Sequence, residues 1–268
     1  MKKYILYTAA IMAITVSSCR KIETDGEIQV VVVNGGGGGG GSTTGQTITL
    51  QGRINADTVL RKANSYILKG IVYMVGNHTM TIEAGTVIKG SFSGSDVAAL
   101  VITRGSKIIA PGTATDPIIF TSLSPNPQSG DWGGIVLCGK AGYNLSYNGT
   151  AGLYQVEGGI DNANGDGLAG SGDAVAPTPV ANDNSGVLQY VRIEYAGYAF
   201  QPDKEINSLT MAAVGSGTTI DHIQVTYAKD DAYEWFGGSV NCSYLIAYKT
   251  QDDDFDTDNG YNGKVQFG

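Results

Sequence analysis

The segment Ile220–Glu234, which reads IDHIQVTYAKDDAYE, is followed at an offset of 22 residues by a similar segment, Cys242–Asp256, which reads CSYLIAYKTQDDDFD. Gly238, which closes the first unit, has its counterpart in Gly260. Each unit begins with a run rich in β-branched and aromatic residues, and neither shows a sustained helical period. Self-similarity at this spacing, without a helix, predicts a solenoid with one coil per repeat.

Two further alignments extend the repeat toward the N-terminus. Thr81–Ile88 aligns with Val101–Ile108 at an offset of 20, and both contain the phrase Ile-x-x-Gly-x-x-Ile. Gly186–Tyr195 aligns with the coil near Ile220 at an offset of 32, which implies an insertion over residues 198–207. We therefore expect Thr81–Ile88 and Val101–Ile108, which are 20 residues apart, to occupy equivalent positions in two successive coils.

These spacings predict an all-β fold, a right-handed parallel β-helix with coils of roughly 20–22 residues, over residues 47–268. Each strand would pair with its counterpart one coil away, at about 4.8 Å, and the inward side chains would stack into apolar ladders. Glycines would mark the corners, where a positive φ or a close approach is needed. The leucine frame of leucine-rich repeats is absent.

Residues 139–184 interrupt the repeat with Gly, Asn, Asp, Pro and small residues. We predict that they form a long insertion in one coil, and insertions of this length are usually functional or mobile. The sequence stops at Gly268 within a strand-like run, which would leave an unpaired edge. We expect a truncated C-terminal end that lacks its cap, with a covering partner subunit as the alternative.

The N-terminus has the layout of a secretory signal over residues 1–18: Lys2 and Lys3, then an uncharged apolar run that is too short to span a membrane. Val16-Ser17-Ser18-Cys19 resembles the lipobox of bacterial lipoproteins, which implies that Cys19 becomes the lipid attachment site. A simple signal peptide followed by a chance cysteine is the alternative. Lipid chains anchor a protein by roughly 0.8 kcal/mol for each buried CH₂ group.

Residues 19–46 are predicted to be the anchor and a linker, because Gly35–Gly41 is an uninterrupted glycine run that behaves as a flexible coil. The run Ile28–Val33 before it is either a strand that pairs elsewhere or an exposed apolar segment. The formal net charge of -8 disfavours nucleic acid as a partner. Cys138 and Cys242 lie in apolar runs, where free cysteines usually act as small buried hydrophobes, and a disulfide between them is the less favoured alternative.

Three stretches carry a resemblance to a known family: Asp116–Ser122, Gly130–Leu137 with its Trp-Gly-Gly phrase, and Asp183–Gly197. They resemble Bacteroidota-type lipoproteins with right-handed parallel β-helix repeats. The resemblance covers roughly residues 47–268 and implies a location in the cell envelope. It implies no catalytic residues, since these lipoproteins have no defined activity.

Acidic residues recur in the last two repeats, at Asp230, Asp231 and Glu234 and again at residues 252–258. Stacked coils would place like charges roughly 4.8 Å apart, and hard oxygen ligands on loops suit Ca²⁺. The alternative is a hydrated acidic corner without an ion. If a metal binds, we expect its ligands to be Asp230, Asp252, Asp254 and Asp256.

Other candidate sites are weaker. Asn162, Asn164, Asp166 and Asp173 have the spacing of a calcium loop but supply only two carboxylates. His78 and His222 lack the spacing of zinc ligands or of a triad. Aromatic residues near the acidic corner could stack on sugars, with Trp235 and Tyr261 as the candidate ligand-binding residues, or they could belong to the core.

The leading hypothesis is an outer-membrane lipoprotein, exposed at the surface, that acts as a binding or adhesion module for glycans or other surface polymers. Its partners would be the membrane, through the lipid anchor, and a polysaccharide or surface protein. The alternative is a calcium-assisted polysaccharide lyase or a glycoside hydrolase, with Lys229, Lys249 and Arg192 as the nearby bases. We assign no catalytic residue from the sequence.

Overall fold

The computed structural model describes residues 29–33, 45–201 and 204–268. The predicted signal peptide and Cys19 lie outside the described residues, as does most of the predicted linker. Apart from one 3₁₀ turn at Gly94–Asp96, the regular structure of the described residues is entirely β. In chain order the strands are β1 (Gln29–Val33), β2 (Thr47–Ile54), β3 (Thr58–Leu60), β4 (Ser65–Met74), β5 (Thr79–Ile82), β6 (Val87–Gly90), β7 (Ala99–Ile102), β8 (Lys107–Pro111), β9 (Ile118–Ser122), β10 (Ile135–Cys138), β11 (Ser146–Tyr147), β12 (Thr150–Ala151), β13 (Leu153–Gln155), β14 (Leu168–Gly170), β15 (Gly186–Glu194), β16 (Ala199–Gln201), β17 (Lys204–Glu205), β18 (Leu209–Ala212), β19 (Thr219–Thr226), β20 (Tyr233–Phe236), β21 (Asn241–Tyr248), β22 (Phe255–Asp258) and β23 (Lys264–Gln266).

The strands form three parallel ladders that wind around one core, which confirms the predicted parallel β-helix. Ladder A contains the first halves of β2 and β4, then β6 and β9, then the second halves of β15, β19 and β21. Ladder B contains the second halves of β2 and β4, then β7, β10, β18, β20 and β22. Ladder C contains β3, β5 and β8, then the first halves of β15, β19 and β21, and finally β23.

Two of the three sequence alignments match the observed register. Ile220 pairs with Cys242 and Leu188 pairs with Ile220, so the offsets of 22 and 32 do join successive coils. The offset of 20 was wrong, because Thr81 pairs with Ile109 in ladder C whereas Val101 lies in ladder B.

The false alignment has a local cause, since the same turn occurs at two different corners of one coil. Gly85 lies between β5 and β6, and Gly105 lies between β7 and β8. Both have positive φ, 76° and 88°, which glycine adopts without a steric penalty. The shared Ile-x-x-Gly-x-x-Ile phrase therefore encodes a corner and not a coil.

Inward side chains stack from coil to coil and exclude water from the interior. Tyr66, Ile88, Phe120 and Ile193 are consecutive in ladder A, and all four are buried. Side chains of this size contribute roughly 1.5–3 kcal/mol each when fully buried. Cys138 and Cys242 are free, buried thiols, as the sequence favoured.

Both insertions cover the outer face of ladder B. Residues 139–184 form two small antiparallel pairs, β11 with β12 and β13 with β14, and β16 pairs with β17 in the second insertion. Val156 and Ile160 of the long insertion pack with Val101 and Val136 of ladder B in a second apolar cluster. Side chains that point outward from ladder B are consequently buried.

The N-terminal edge of the sheet is paired. β1 runs antiparallel to β2 over Gln29–Val33 and Thr47–Gln51. Of the two alternatives for the valine-rich run, the structure therefore has the strand that pairs elsewhere. β1 covers the edge of β2, which would otherwise be open to pairing with other chains. Among the described residues, no helix is long and apolar enough to cross a membrane.

Candidate functional site

The acidic residues that the structure brings together lie where β20 and β22 begin. Glu234 of β20 is paired with Asp256 of β22 on one side and with Thr210 of β18 on the other. All three point away from the core because their neighbours along the strands point inward. We call Asp230, Asp231, Glu234, Asp252 and Asp256 the acidic cluster.

The cluster consists of two groups of three carboxylates that share one member. One oxygen each from Asp231, Glu234 and Asp256 lies within 4.8 Å of the others, and the same holds for Asp230, Asp231 and Asp252. Asp231 is common to both groups, and its Oδ1 also accepts a hydrogen bond of 2.9 Å from the backbone N–H of Asp253.

Burial changes the protonation of this cluster. Glu234 is 6% exposed and Asp231 is 8% exposed. Loss of solvent, followed by repulsion from Glu157 and Asp231, raises the pKa of Glu234 to about 10. Loss of solvent also raises the pKa of Asp231 to about 7 and that of Asp230 to about 6. The folded environment therefore disfavours the ionised form of these three carboxyl groups.

Two neutral side chains beside Glu234 have polar atoms without a partner. Nδ2 of Asn207 donates a hydrogen bond to Oε2 of Glu234, but Oδ1 of Asn207 has no hydrogen-bond partner among the described residues. The hydroxyl of Thr210 has none either. Each of these two residues is only 1% exposed, and a buried oxygen without a partner is costly.

A groove on a different part of the surface is lined mainly by the corner between ladders C and A. The groove has a volume of about 290 Å³. The turn between β8 and β9 also lines it, through Thr113, Ala114 and Pro117. Tyr190, His222, Tyr244 and Phe267 line it also. The groove therefore runs along the stacking direction of the last coils, because these four residues come from successive coils.

The aromatic column, as we call Tyr190, His222, Tyr244 and Phe267, is a continuous stack. The ring centroids are 4.3, 4.4 and 4.7 Å apart along the column. All four residues have positive φ, between 48° and 62°, a backbone conformation that side chains other than glycine seldom adopt. Strain of this kind persists where the surroundings impose it, and it often marks functional surfaces.

Polar groups surround this column. Asp221 holds Nδ1 of His222 at 2.9 Å and also accepts hydrogen bonds from Ser243 and Gln189. Although burial raises it, these hydrogen bonds hold the pKa of Asp221 below its ordinary value. Exposed Arg192 lines the groove, and its guanidinium group forms no hydrogen bond or ion pair with any described residue.

The sequence matches the family described as the pectate-lyase like beta helix domain over residues 52–267. The chain belongs to this family. Membership agrees with the three ladders and suggests a function related to carbohydrates. No curated protein and no solved structure matched the chain.

In this pectate-lyase-like chain, the candidate metal ligands do not all converge. Asp230, Asp252 and Asp256 belong to the acidic cluster. Asp254 is exposed and belongs to neither group of three. Asp231 and Glu234, which the sequence marked as acidic but did not select as ligands, occupy the cluster instead.

Of the two candidate sugar-binding aromatics, Trp235 is fully buried and Tyr261 is partly buried. Trp235 is 0% exposed and stacks on Tyr233 within ladder B, so the structure contradicts its assignment as a ligand-binding residue. It points inward because strand residues alternate and Glu234 points outward. Tyr261 is partly buried against the same core, and its hydroxyl donates a hydrogen bond of 2.9 Å to the carbonyl of Val240.

The calcium-like phrase in the long insertion is occupied by arginine side chains. Asp166 is bound by Arg53, with Nε to Oδ2 at 2.8 Å, and Asp173 is bound by Arg104 through two hydrogen bonds of 2.9 and 2.7 Å. The charge of both carboxylates is thus already compensated. These pairs fasten the insertion to the β-helix.

The groove residues were missed, although the sequence contained their signal. Tyr190, His222 and Tyr244 fall on one another at the offsets of 32 and 22 that joined the coils. An aromatic ring at the same position of three aligned repeats predicts a column on one face of a solenoid.

Proposed function

We propose that this chain is a surface-exposed outer-membrane lipoprotein, anchored through Cys19, that binds a polysaccharide in the groove beside the aromatic column. The observation that supports this most is the combination of a stacked aromatic column with an unpaired arginine in one groove. Binding sites for small groups are typically apolar clefts with a few placed polar groups.

The repeating character of the groove favours a polymer as the ligand. Arg192, Gln224 and Ile246 are consecutive outward residues of ladder A, so the groove offers similar positions at intervals of about 4.8 Å. Because the rings of the aromatic column stack on one another, their edges and not their shared faces can border the groove, and ring edges carry partial positive charge. A chain of sugar units can use such positions repeatedly.

Arg192 favours an acidic polysaccharide over a neutral one. A guanidinium group binds carboxylates through two parallel hydrogen bonds, and Arg192 has no such partner among the described residues. We therefore expect polygalacturonate, which carries a carboxylate on every sugar, to bind more tightly than neutral dextran.

The test is calorimetric titration with both polymers against the parent protein and three variants. Arg192→Ala and Tyr244→Ala should each weaken polygalacturonate binding by about tenfold or more, which corresponds to roughly 1.4 kcal/mol. Tyr248→Ala is the matched control, since Tyr248 is a similarly exposed tyrosine of the same strand that does not line the groove. Equal losses in Tyr244→Ala and Tyr248→Ala would contradict the proposal.

A calcium-assisted lyase or a glycoside hydrolase is less well supported by the geometry. The acidic cluster lies on ladder B beneath the insertions, whereas the groove lies beside ladder A. Carboxyl groups that are less than a tenth exposed, such as Asp231 and Glu234, cannot reach a polymer in the groove. Unsaturated or reducing ends formed from polygalacturonate would overturn a role in binding alone.

A further inference from the structure

The residues around Glu234 have no role in the groove, yet they combine buried carboxylates with buried oxygens that lack partners. Charged neighbours that shift the pKa of Glu234 are all carboxylates: Glu157, Asp231, Asp256 and Asp230. A buried set of like charges is unfavourable unless the groups are neutralised or paired with a cation.

We propose that Asp231, Glu234 and Asp256, together with Oδ1 of Asn207 and the hydroxyl of Thr210, form a binding site for one divalent cation. The three carboxylates are already close enough for each to place one oxygen on a common ion. The two neutral oxygens are among the buried atoms without partners in the described residues. Both belong to residues beside Glu234, Asn207 through its hydrogen bond and Thr210 through the strand register, and one cation would be a common partner for all five groups.

The donor set selects the kind of ion. Every donor is an oxygen, which excludes the sulfur and imidazole ligands that zinc and copper prefer. Ca²⁺ accepts six to eight such oxygens in flexible geometry, whereas Mg²⁺ demands an octahedral shell and gives up its waters reluctantly. A largely buried site that offers five oxygen donors and little room for retained water therefore favours Ca²⁺ over Mg²⁺.

The position of the site indicates what the ion does. Asp231, Glu234 and Asp256 come from two consecutive coils, whereas Asn207 is the last residue of the second insertion. Phe236, on the same outer face as Glu234, packs on Tyr154 of the long insertion with ring centroids 4.9 Å apart. The ion would hold the last coils together at the place where both insertions cover them, independently of polysaccharide binding.

The test uses calcium chloride and magnesium chloride as probes on the parent protein, Glu234→Gln and Asp254→Asn. Calorimetric titration should show Ca²⁺ binding to the parent, and Glu234→Gln should weaken it by about tenfold or more, since even groups that only orient a metal ligand have effects of this size. Asp254→Asn is the matched control, because Asp254 is an exposed acid outside the cluster, and its affinity should stay unchanged.

Thermal melting guards against a folding defect in the variant. Glu234→Gln keeps the size of the side chain and removes only its ability to ionise, so in chelator the variant should melt at the parent's temperature or above it, and it should lose the rise that Ca²⁺ gives the parent. Identical melting of the parent in calcium and in chelator would overturn the proposal. So would equal losses of affinity in Glu234→Gln and Asp254→Asn, because binding would then reflect general surface acidity.

Discussion

Nδ2 of Asn207 donates a hydrogen bond to Oε2 of Glu234, although the two residues are 27 positions apart and both are almost completely buried. The contact joins the end of the second insertion to ladder B. It fixes the amide so that its oxygen has no hydrogen-bond partner among the described residues. Glu234 is therefore both a buried carboxyl group of the acidic cluster and the residue that bonds the second insertion to ladder B.

The stability of the calcium-free protein should fall as the pH rises. Burial raises the pKa of Glu234 from 4.5 to about 10 and that of Asp231 from 3.8 to about 7. A group whose pKa is raised on folding stabilises the fold fully below its unfolded pKa, and this stability is lost as the pH rises through the folded pKa. We therefore expect the free energy of unfolding, measured with denaturant in chelator, to decrease from about pH 5 upward, by at most about 1.4 kcal/mol per pH unit for each group.

Glu234→Gln provides the control for this pH dependence. Glutamine keeps the size of the side chain but cannot ionise, so the decrease above pH 7 should become much shallower. A variant that keeps the parent's slope would show that other groups control the pH dependence. Asp254→Asn should leave the slope unchanged because Asp254 lies outside the cluster.

Replacing Ile223 or Leu245 with aspartate should destabilise the protein severely. These residues are paired in consecutive coils of ladder A and both are buried, so the new charge would enter the apolar interior. We expect a loss of more than about 4 kcal/mol, well above that of an ordinary surface substitution. Chemical denaturation measures it, and Asn164→Ala in the long insertion, which should change stability by less than about 0.5 kcal/mol, is the control. If all three variants unfolded alike, the assignment of inward positions would be wrong.

The sequence predicted the β-helix because a coil repeats its own pattern. The alignment of Ile220 with Cys242 predicts that these two residues are paired in neighbouring strands, and the structure has that pairing. Alternation along a strand also places Trp235 inside once Glu234 is outside, but the sequence alone does not say which of the two faces inward. Burial of Glu234 depends on insertions that are distant along the chain, and the pairing of Arg104 with Asp173 spans 69 residues. Neither the burial of Glu234 nor the pairing of Arg104 with Asp173 leaves a periodic signal in the sequence.

Cys19→Ala should prevent lipid attachment. The cysteine of a lipobox carries the acyl chains, and two or more chains are needed for durable anchoring. Labelling of bacteria with a fatty-acid probe should therefore mark the parent protein and not the variant, and the variant should persist as a precursor that the lipoprotein pathway has not cleaved. Ser18→Ala keeps a small residue before the cysteine and should be labelled as the parent is. Equal labelling of the parent and Cys19→Ala would remove the lipoprotein assignment.

Arg104→Ala should loosen the long insertion while leaving the β-helix folded. The side chain of Arg104 is 6% exposed and binds both oxygens of Asp173, with distances of 2.9 and 2.7 Å. It also lowers the pKa of Asp173 below its ordinary value. Charged hydrogen bonds of this kind contribute about 1.5–3 kcal/mol, and Asp173 would be left without its cation. Hydrogen exchange should therefore accelerate in residues 150–176, whereas the amides of β19 and β21 should keep their protection because their ladders do not depend on this pair.

Arg61→Ala is the control for Arg104→Ala. It removes an exposed ion pair with Glu83 and should leave the exchange of the insertion unchanged. Acceleration throughout ladders A and C would mean that the insertion and the β-helix unfold as one unit, which would contradict the idea that arginine pairs fasten a separate layer to the solenoid.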